Sequence, residues 1–401
     1  MAIDIKDTVH AVDAAAVMRL LPTRPRLLAL GEPTHGEASL LDVRNTLFRQ
    51  LVEQEGYRTI AIESDCVRGL LVDDYVTLGT GTLDDVMARG FSHEWFNRSA
   101  ANRELVRWMR AYNDTRPVSQ RVRFAGFDAP LEMTEAASPR EALMALHAYL
   151  AAHVSTELLP CTAQTLDRLL GPDARWTDGA AMLEPARSVG RSAEARELRL
   201  LADDVVALFD EQSPHLIMTT SRDDWDRARL YARTATGLLR YHFWMADTSP
   251  GRTTRLTSLR DRMMADNLLA IAERSPALVH AHNSHLQRDK SSMRMGGRPL
   301  EWWSAGALAS VRLGEDYGFL ATALGTLPHQ SVDAPPPGTV EAILYALAED
   351  HCLIDAPQLA IATGDMGLGP RVSPWFGYAP LDPAHLATTD GIVFVRDVVE
   401  G

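Results

Sequence analysis

Apolar residues fall into two kinds of run along this chain, and their alternation sets the fold class. The blocks at 27–30, 58–62, 122–127 and 277–281 are short and bounded by turn-forming or polar residues, the pattern of buried strands. Between them apolar positions recur at helical spacing: Leu40, Leu47, Phe48 and Leu51 within 39–55, then Leu105, Trp108, Met109 and Tyr112 within 100–113. Further helices are predicted over 10–21, 68–78, 82–89 and 339–349, and further strands over 318–323 and 391–395. Strands separated by helical segments imply parallel pairing through crossovers. The expected fold is therefore α/β, a central and largely parallel sheet with flanking helices. The polar stretch 287–299, with adjacent Gly296 and Gly297, predicts a loop.

From about residue 139 to 254 strand patterns vanish. Ala, Leu, Arg and Glu dominate there, and 192–209 and 223–241 read as long helices, followed by another over 252–273. The expectation is a helical insertion (139–254), acting as a lid, between two halves of a catalytic core (1–138 and 255–401). Its aromatics, Trp225, Tyr231, Tyr241, Phe243 and Trp244, form the insertion's own core or line an apolar pocket. With 401 residues, 46% of them hydrophobic, the chain can bury a substantial interior.

Charge narrows the partners. A formal net charge of −13 argues against a nucleic-acid footprint, which needs a concentrated basic face. The opening residues hold acids and no unbroken apolar core, so no signal peptide is expected. No stretch reaches the roughly 18 apolar residues of a membrane span, so no membrane partner is expected either. Cys66, Cys161 and Cys352 lie far apart in no metal-like spacing, which suits a reducing cytoplasm and small buried side chains.

The chemistry gathers at strand ends. The first block runs into Gly31-Glu32-Pro33-Thr34-His35-Gly36, the second ends in Glu63-Ser64-Asp65, the third in Asp128, and the fourth in His282-Asn283-Ser284-His285. Parallel strands that end in acids and imidazoles converge on one edge, where open α/β sheets carry ligands. Taken alone, Glu32 and His35 read equally as a helix cap with a turn residue or as a proton-transfer pair, and His282/His285 have an alternative reading as turn histidines; four strand ends in succession favour a shared cleft. Arg44 sits on the apolar face of the helix over 39–55, either snorkelling to the surface or paired with an acid at the sheet edge. No G-x-S-x-G elbow, phosphate loop or dinucleotide fingerprint is present, and Ser284 lacks a glycine-flanked turn. A Zn or Mn site built from the histidines and carboxylates is a competitor, unsupported by any HExxH helix. What remains is general acid/base chemistry on a small molecule, in which His35 or a carboxylate activates water, with no cofactor or metal implied.

The motifs GEPTHG, ESD, RFAGFD, RDRMMADN and HAHNSH, in that order and spacing, resemble the erythromycin esterase family. The resemblance covers 27–128 and the stretch from 260 onward; the helical middle is least similar. It implies a metal-independent hydrolase that opens a macrolide or other lactone by activating water, without an acyl-enzyme. His35 would inherit the general-base role, oriented by Glu32, with Arg44 and Glu63 matching the family's arginine and second acid. His282 and His285 would hold substrate or stabilise an oxyanion; Asp128, Arg260 and Asn283 complete the expected substrate-binding set. Pro33 replaces a small residue common at that place, which stiffens the turn. The same machinery suits a cyclase, a dehydratase or an acyl transferase acting on a natural product, and a binding protein that has kept the cleft is a third class.

Overall fold

The computed structural model describes residues 8–92, 99–132, 135–295, 297–372 and 377–398. The chain divides into two compact units, one formed by 1–64, 68–127 and 268–401, the other by 65–67 and 128–267. The second unit's longer segment runs from 128 to 267 and ends within the long helix Arg252–Arg274.

The first unit is α/β. Its strands are β1 (Val9–His10), β2 (Leu27–Glu32), β3 (Thr59–Asp65), β4 (Arg123–Asp128), β5 (Ala277–His282), β6 (Lys290–Met295), β7 (Arg298–Trp303), β8 (Tyr317–Thr326), β9 (His351–Asp355) and β10 (Gly391–Asp397). Eight of them form one sheet in the order β1-β9-β10-β8-β2-β5-β3-β4. The pairs β2–β5, β2–β8, β3–β5 and β8–β10 are parallel, whereas β9 runs antiparallel to both β10 and β1. β2 and β3 are buried along their whole length, which explains why they read as continuous apolar runs. Helix α1 (Ala14–Leu20) is capped by the Asp13 carboxylate, and α2 (Ala38–Gln54) packs Leu47, Phe48 and Leu51 into the core beside Leu28 and Ile60.

Two expectations change, and two strands appear that were not expected. The predicted loop 287–299 is a hairpin of β6 and β7, whose alternate residues Ser291, Leu300 and Trp302 are buried; Gly296 lies outside the described residues. Its outward face is so polar that the apolar alternation is faint in the sequence. The helix predicted over 339–349 is only Val340–Tyr345. The antiparallel strands β1, at the sheet edge, and β9, beside it, are too short to give a clear apolar run and went unpredicted.

The second unit is helical, built on Arg140–His153, Ala193–Glu211 and Arg222–Met245. Its aromatics serve its own core: Trp225 stacks on Phe209, Tyr241 is buried with Leu238 and Met263, and Trp244 packs beside them. Phe243 lies under the guanidinium groups of Arg191 and Arg199. No helix among the described residues is long and apolar enough to cross a membrane.

Candidate active site

The site is built on three neighbouring strands of the first unit. Register pairs Leu30 with His280 and Glu32 with His282 across β2 and β5, so Glu32, His280 and His282 share one face by the two-residue period. β3 flanks β5 on the other side and carries Glu63 just past the Ile62–His280 pair. Beyond β2 the chain bends through Pro33 to Gly36, whose φ of 84° is open to glycine, and α2 begins at Ala38. That bend folds His35 back over the end of its own strand. Its Nδ1 lies 2.7 Å from Oε1 of Glu32.

Five more contacts close the cluster. Oε2 of Glu63 accepts the backbone N–H of His282 at 2.9 Å and lies 3.9 Å from Nε2 of His35, beyond hydrogen-bond length. Oε1 of Glu63 lies 3.4 Å from Nε2 of His285. The rings of His35 and His282 are 5.3 Å apart between centroids. On the far side of Glu32, Nε2 of His280 stands 3.2 Å from Oε2.

Electrostatics separates the roles. Burial alone would raise the Glu32 carboxyl, but the imidazoles of His280 and His35 reverse that and hold it well below the usual carboxylate range. Burial would likewise push His35 down, and the charges of Glu63 and Glu32 outweigh it, leaving His35 above its ordinary 6.5. Glu63 and Glu32 raise His282 too, without outweighing its burial. Burial, reinforced by the neighbouring His35, pushes it down to about 3. It is therefore neutral at neutral pH, with its Nδ1 accepting from the Ser284 N–H at 3.3 Å and 2.6 Å from the Ser284 hydroxyl. A base that weak cannot activate Ser284, whose backbone N–H it caps in the short helix Asn283–Leu286. The thiols are no better as nucleophiles: burial pushes Cys66 up to about 12 and Cys352 to about 11.

The structure brings Glu32, His35, Glu63, His282 and His285 together. Arg44 does not form the expected salt bridge. It is fully buried, and its Nη2 donates to the amide oxygens of Asn45 and Asn102, both at 2.8 Å. Burial lowers it to about 10, against the raising influence of Glu32, so it stays charged and acts on Glu32 through its field. Asn283, expected to touch substrate, is committed to the main chain: its Nδ2 donates to Thr322 O at 2.8 Å and its Oδ1 accepts Thr322 N–H at 3.2 Å. Asp128 and Arg260 belong to the second unit, where Nη2 of Arg260 lies 2.6 Å from Oδ2 of Asp128. The residue that sequence reading missed is His280. Its signal was a histidine inside an apolar strand, two residues before His282 and so on the same face. Among the described residues no group of three or more His, Cys, Asp or Glu is arranged to hold a metal ion.

A buried carboxylate that orients an imidazole, with a second carboxylate and further imidazoles nearby, is arranged for proton transfer. A family model described as erythromycin esterase matches residues 52–398. Glu63, Asp128, Arg260, His282, Asn283 and His285 fall inside that match; Glu32, His35 and Arg44 precede it. An Escherichia coli protein named erythromycin esterase type II is 30% identical over 105 residues, 26% of this chain and 24% of that protein. The alignment thus spans about a quarter of that relative's length. Three solved structures share the fold. A Bacillus cereus protein superposes with a TM-score of 0.72 at 17% identity, covering 93% of this chain and 88% of its own. A protein described as a succinoglycan biosynthesis protein gives 0.71 at 15%, over 98% and 95%. A histidine-to-asparagine mutant of the erythromycin esterase EreC, in its open conformation, gives 0.67 at 18%, over 95% and 92%.

Proposed function

The chain belongs to the erythromycin esterase family, and from that premise we propose that it hydrolyses a lactone or other ester with water activated by His35. The observation that carries this reading is the 2.7 Å contact between Nδ1 of His35 and Glu32. A carboxylate that accepts the Nδ1 proton leaves the lone pair on Nε2, the tautomer a general base requires. As water attacks the ester carbonyl, its proton moves to Nε2, and Glu63 stabilises the imidazolium that results. The oxyanion meets N–H donors from His285 and from His282, whose engaged Nδ1 puts its proton on Nε2. When the tetrahedral intermediate collapses, the imidazolium returns its proton to the departing alkoxide. No covalent nucleophile takes part. The names of two relatives point to a macrolide ring as the substrate class.

The test is mass spectrometry of erythromycin and a panel of simpler lactones incubated with the protein in ¹⁸O-labelled water. A ring-opened acid carrying one label supports the proposal. A product without label overturns hydrolysis and points to a cyclase or dehydratase using the same groups.

A further inference from the structure

His280 takes no part in the reaction just described, yet it is the group most tightly built against it. It sits in the middle of β5, 2% exposed, facing an equally buried Glu32. Its Nδ1 lies 3.1 Å from the carbonyl oxygen of Leu30, its register partner on β2. A carbonyl only accepts, so Nδ1 carries a proton. Nε2 then stands 3.2 Å from Oε2 of Glu32, at ion-pair distance, and neither atom has a hydrogen-bond partner elsewhere. A bare imidazole nitrogen and a bare carboxylate oxygen would repel at that distance in a site closed to water. One more proton on this pair would turn that repulsion into attraction.

We infer that His280 is a positioning residue: a proton held between its Nε2 and Oε2 of Glu32 pins the carboxylate, so that Oε1 stays on Nδ1 of His35. Glu32 is thereby the centre of a three-member chain, His280–Glu32–His35, anchored at one end to the main chain of β2. The chain fixes both the rotamer of Glu32 and the tautomer of His35. Its catalytic consequence rests on the reading of His35 as the base; its existence does not.

Long-range ¹H–¹⁵N correlation spectra of the full chain, labelled at histidine and recorded above the His35 titration, test this without any substrate. The wild-type spectrum should show His35 as a single Nδ1–H tautomer, and His280 with a protonated Nδ1 and a proton-sharing Nε2. In His280→Phe, the Nδ1–H preference of His35 should be lost in favour of the Nε2–H mixture of a free histidine. His280→Gln, which keeps an N–H donor toward Glu32, should largely restore it. An unperturbed bare Nε2 on His280 in the wild type overturns the inference, and so does an unchanged His35 tautomer in a folded His280→Phe protein. If His280→Phe fails to fold, the wild-type spectrum and His280→Gln decide the question by themselves. Absence of lactone turnover would sink the functional proposal and leave this one standing.

Discussion

Glu32 and Asp128 are both carboxylates at the end of a strand, both almost fully buried, and their partners make them different instruments. Glu32 lies between two imidazoles, His35 and His280. Asp128 is gripped by one guanidinium, with Arg260 Nε 3.1 Å from each of its oxygens and Nη2 at 2.6 Å. An imidazole can take or release a proton near neutrality; a guanidinium cannot. The first arrangement is suited to moving protons, and the Arg260 contact of the second is suited to holding shape. A strand-end acid is thus no evidence of chemistry by itself. The titratability of what surrounds it decides.

The sharpest way to break this contrast is to remove the base. His35→Ala should lower kcat by about 10²–10⁴, the usual share of a general base, while the circular dichroism spectrum is unchanged. Turnover within a few-fold of wild type would take His35 out of the mechanism. Next in size is pH. Protonated His35 cannot act as base, and its midpoint lies above the ordinary 6.5, so activity should climb with pH through a midpoint above 6.5. The stability this raised midpoint confers is complete below 6.5 and is lost as pH rises through the folded value. His282 works in the opposite sense. The folded state excludes a proton down to about 3 that the unfolded chain accepts near 6.5, so its contribution is full above 6.5 and declines as pH falls toward 3. Rate profiles and urea midpoints measured in the same buffers check both signs. A rate that falls as pH rises through this window would assign the base elsewhere.

The strand-end carboxylates were readable in the sequence because burial on both faces leaves β2 and β3 as unbroken apolar runs with an abrupt polar end. What surrounds each acid was not. Arg44 was expected to find an acid, but its partners are Asn45, one residue away, and Asn102, far along the chain on helix Ala100–Asp114. His280 was hidden by its own strand, since an isolated histidine within an apolar run reads as part of the run. Asp128 looked equivalent to Glu32 and Glu63, and only its pairing with Arg260 in the second unit distinguishes it. The hairpin and β9 escaped for a simpler reason. The hairpin's polar residues give hydrophobic periodicity little to register, and the buried run of β9, Cys352 to Ile354, is only three residues long.

Asp128→Asn sharpens the comparison from the structural side. It removes the charge that answers Arg260 and should cost about 1–3 kcal/mol of stability, read as a lower urea midpoint. Because a guanidinium does not titrate, that cost should be flat between about pH 5 and 8, where the imidazole-linked terms are changing. A cost that varies steeply across that range would place Asp128 in the same class as Glu32 and erase the distinction.

A test of comparable size asks how the end of β2 is held in place beside Glu32. Strand order places β2 between β5 and β8, so the Asn283 side chain, leaving the end of β5 for Thr322 on β8, crosses β2 at Gly31. A Cβ added at Gly31 would meet Asn283 Oδ1 at 2.0 Å and Asn283 Cα at 3.1 Å. Gly31→Ala should therefore displace the amide and cost about 1–3 kcal/mol by overpacking. Asn283→Ala should cost a similar amount, about 1–3 kcal/mol, by stranding the Thr322 N–H and C=O. Both changes destroy the same crossing, so the double variant should be little worse than either single one. Urea midpoints of the four proteins measure this directly. If the two costs simply add, the crossing is not shared, and Glu32 owes its position to the His280 side alone.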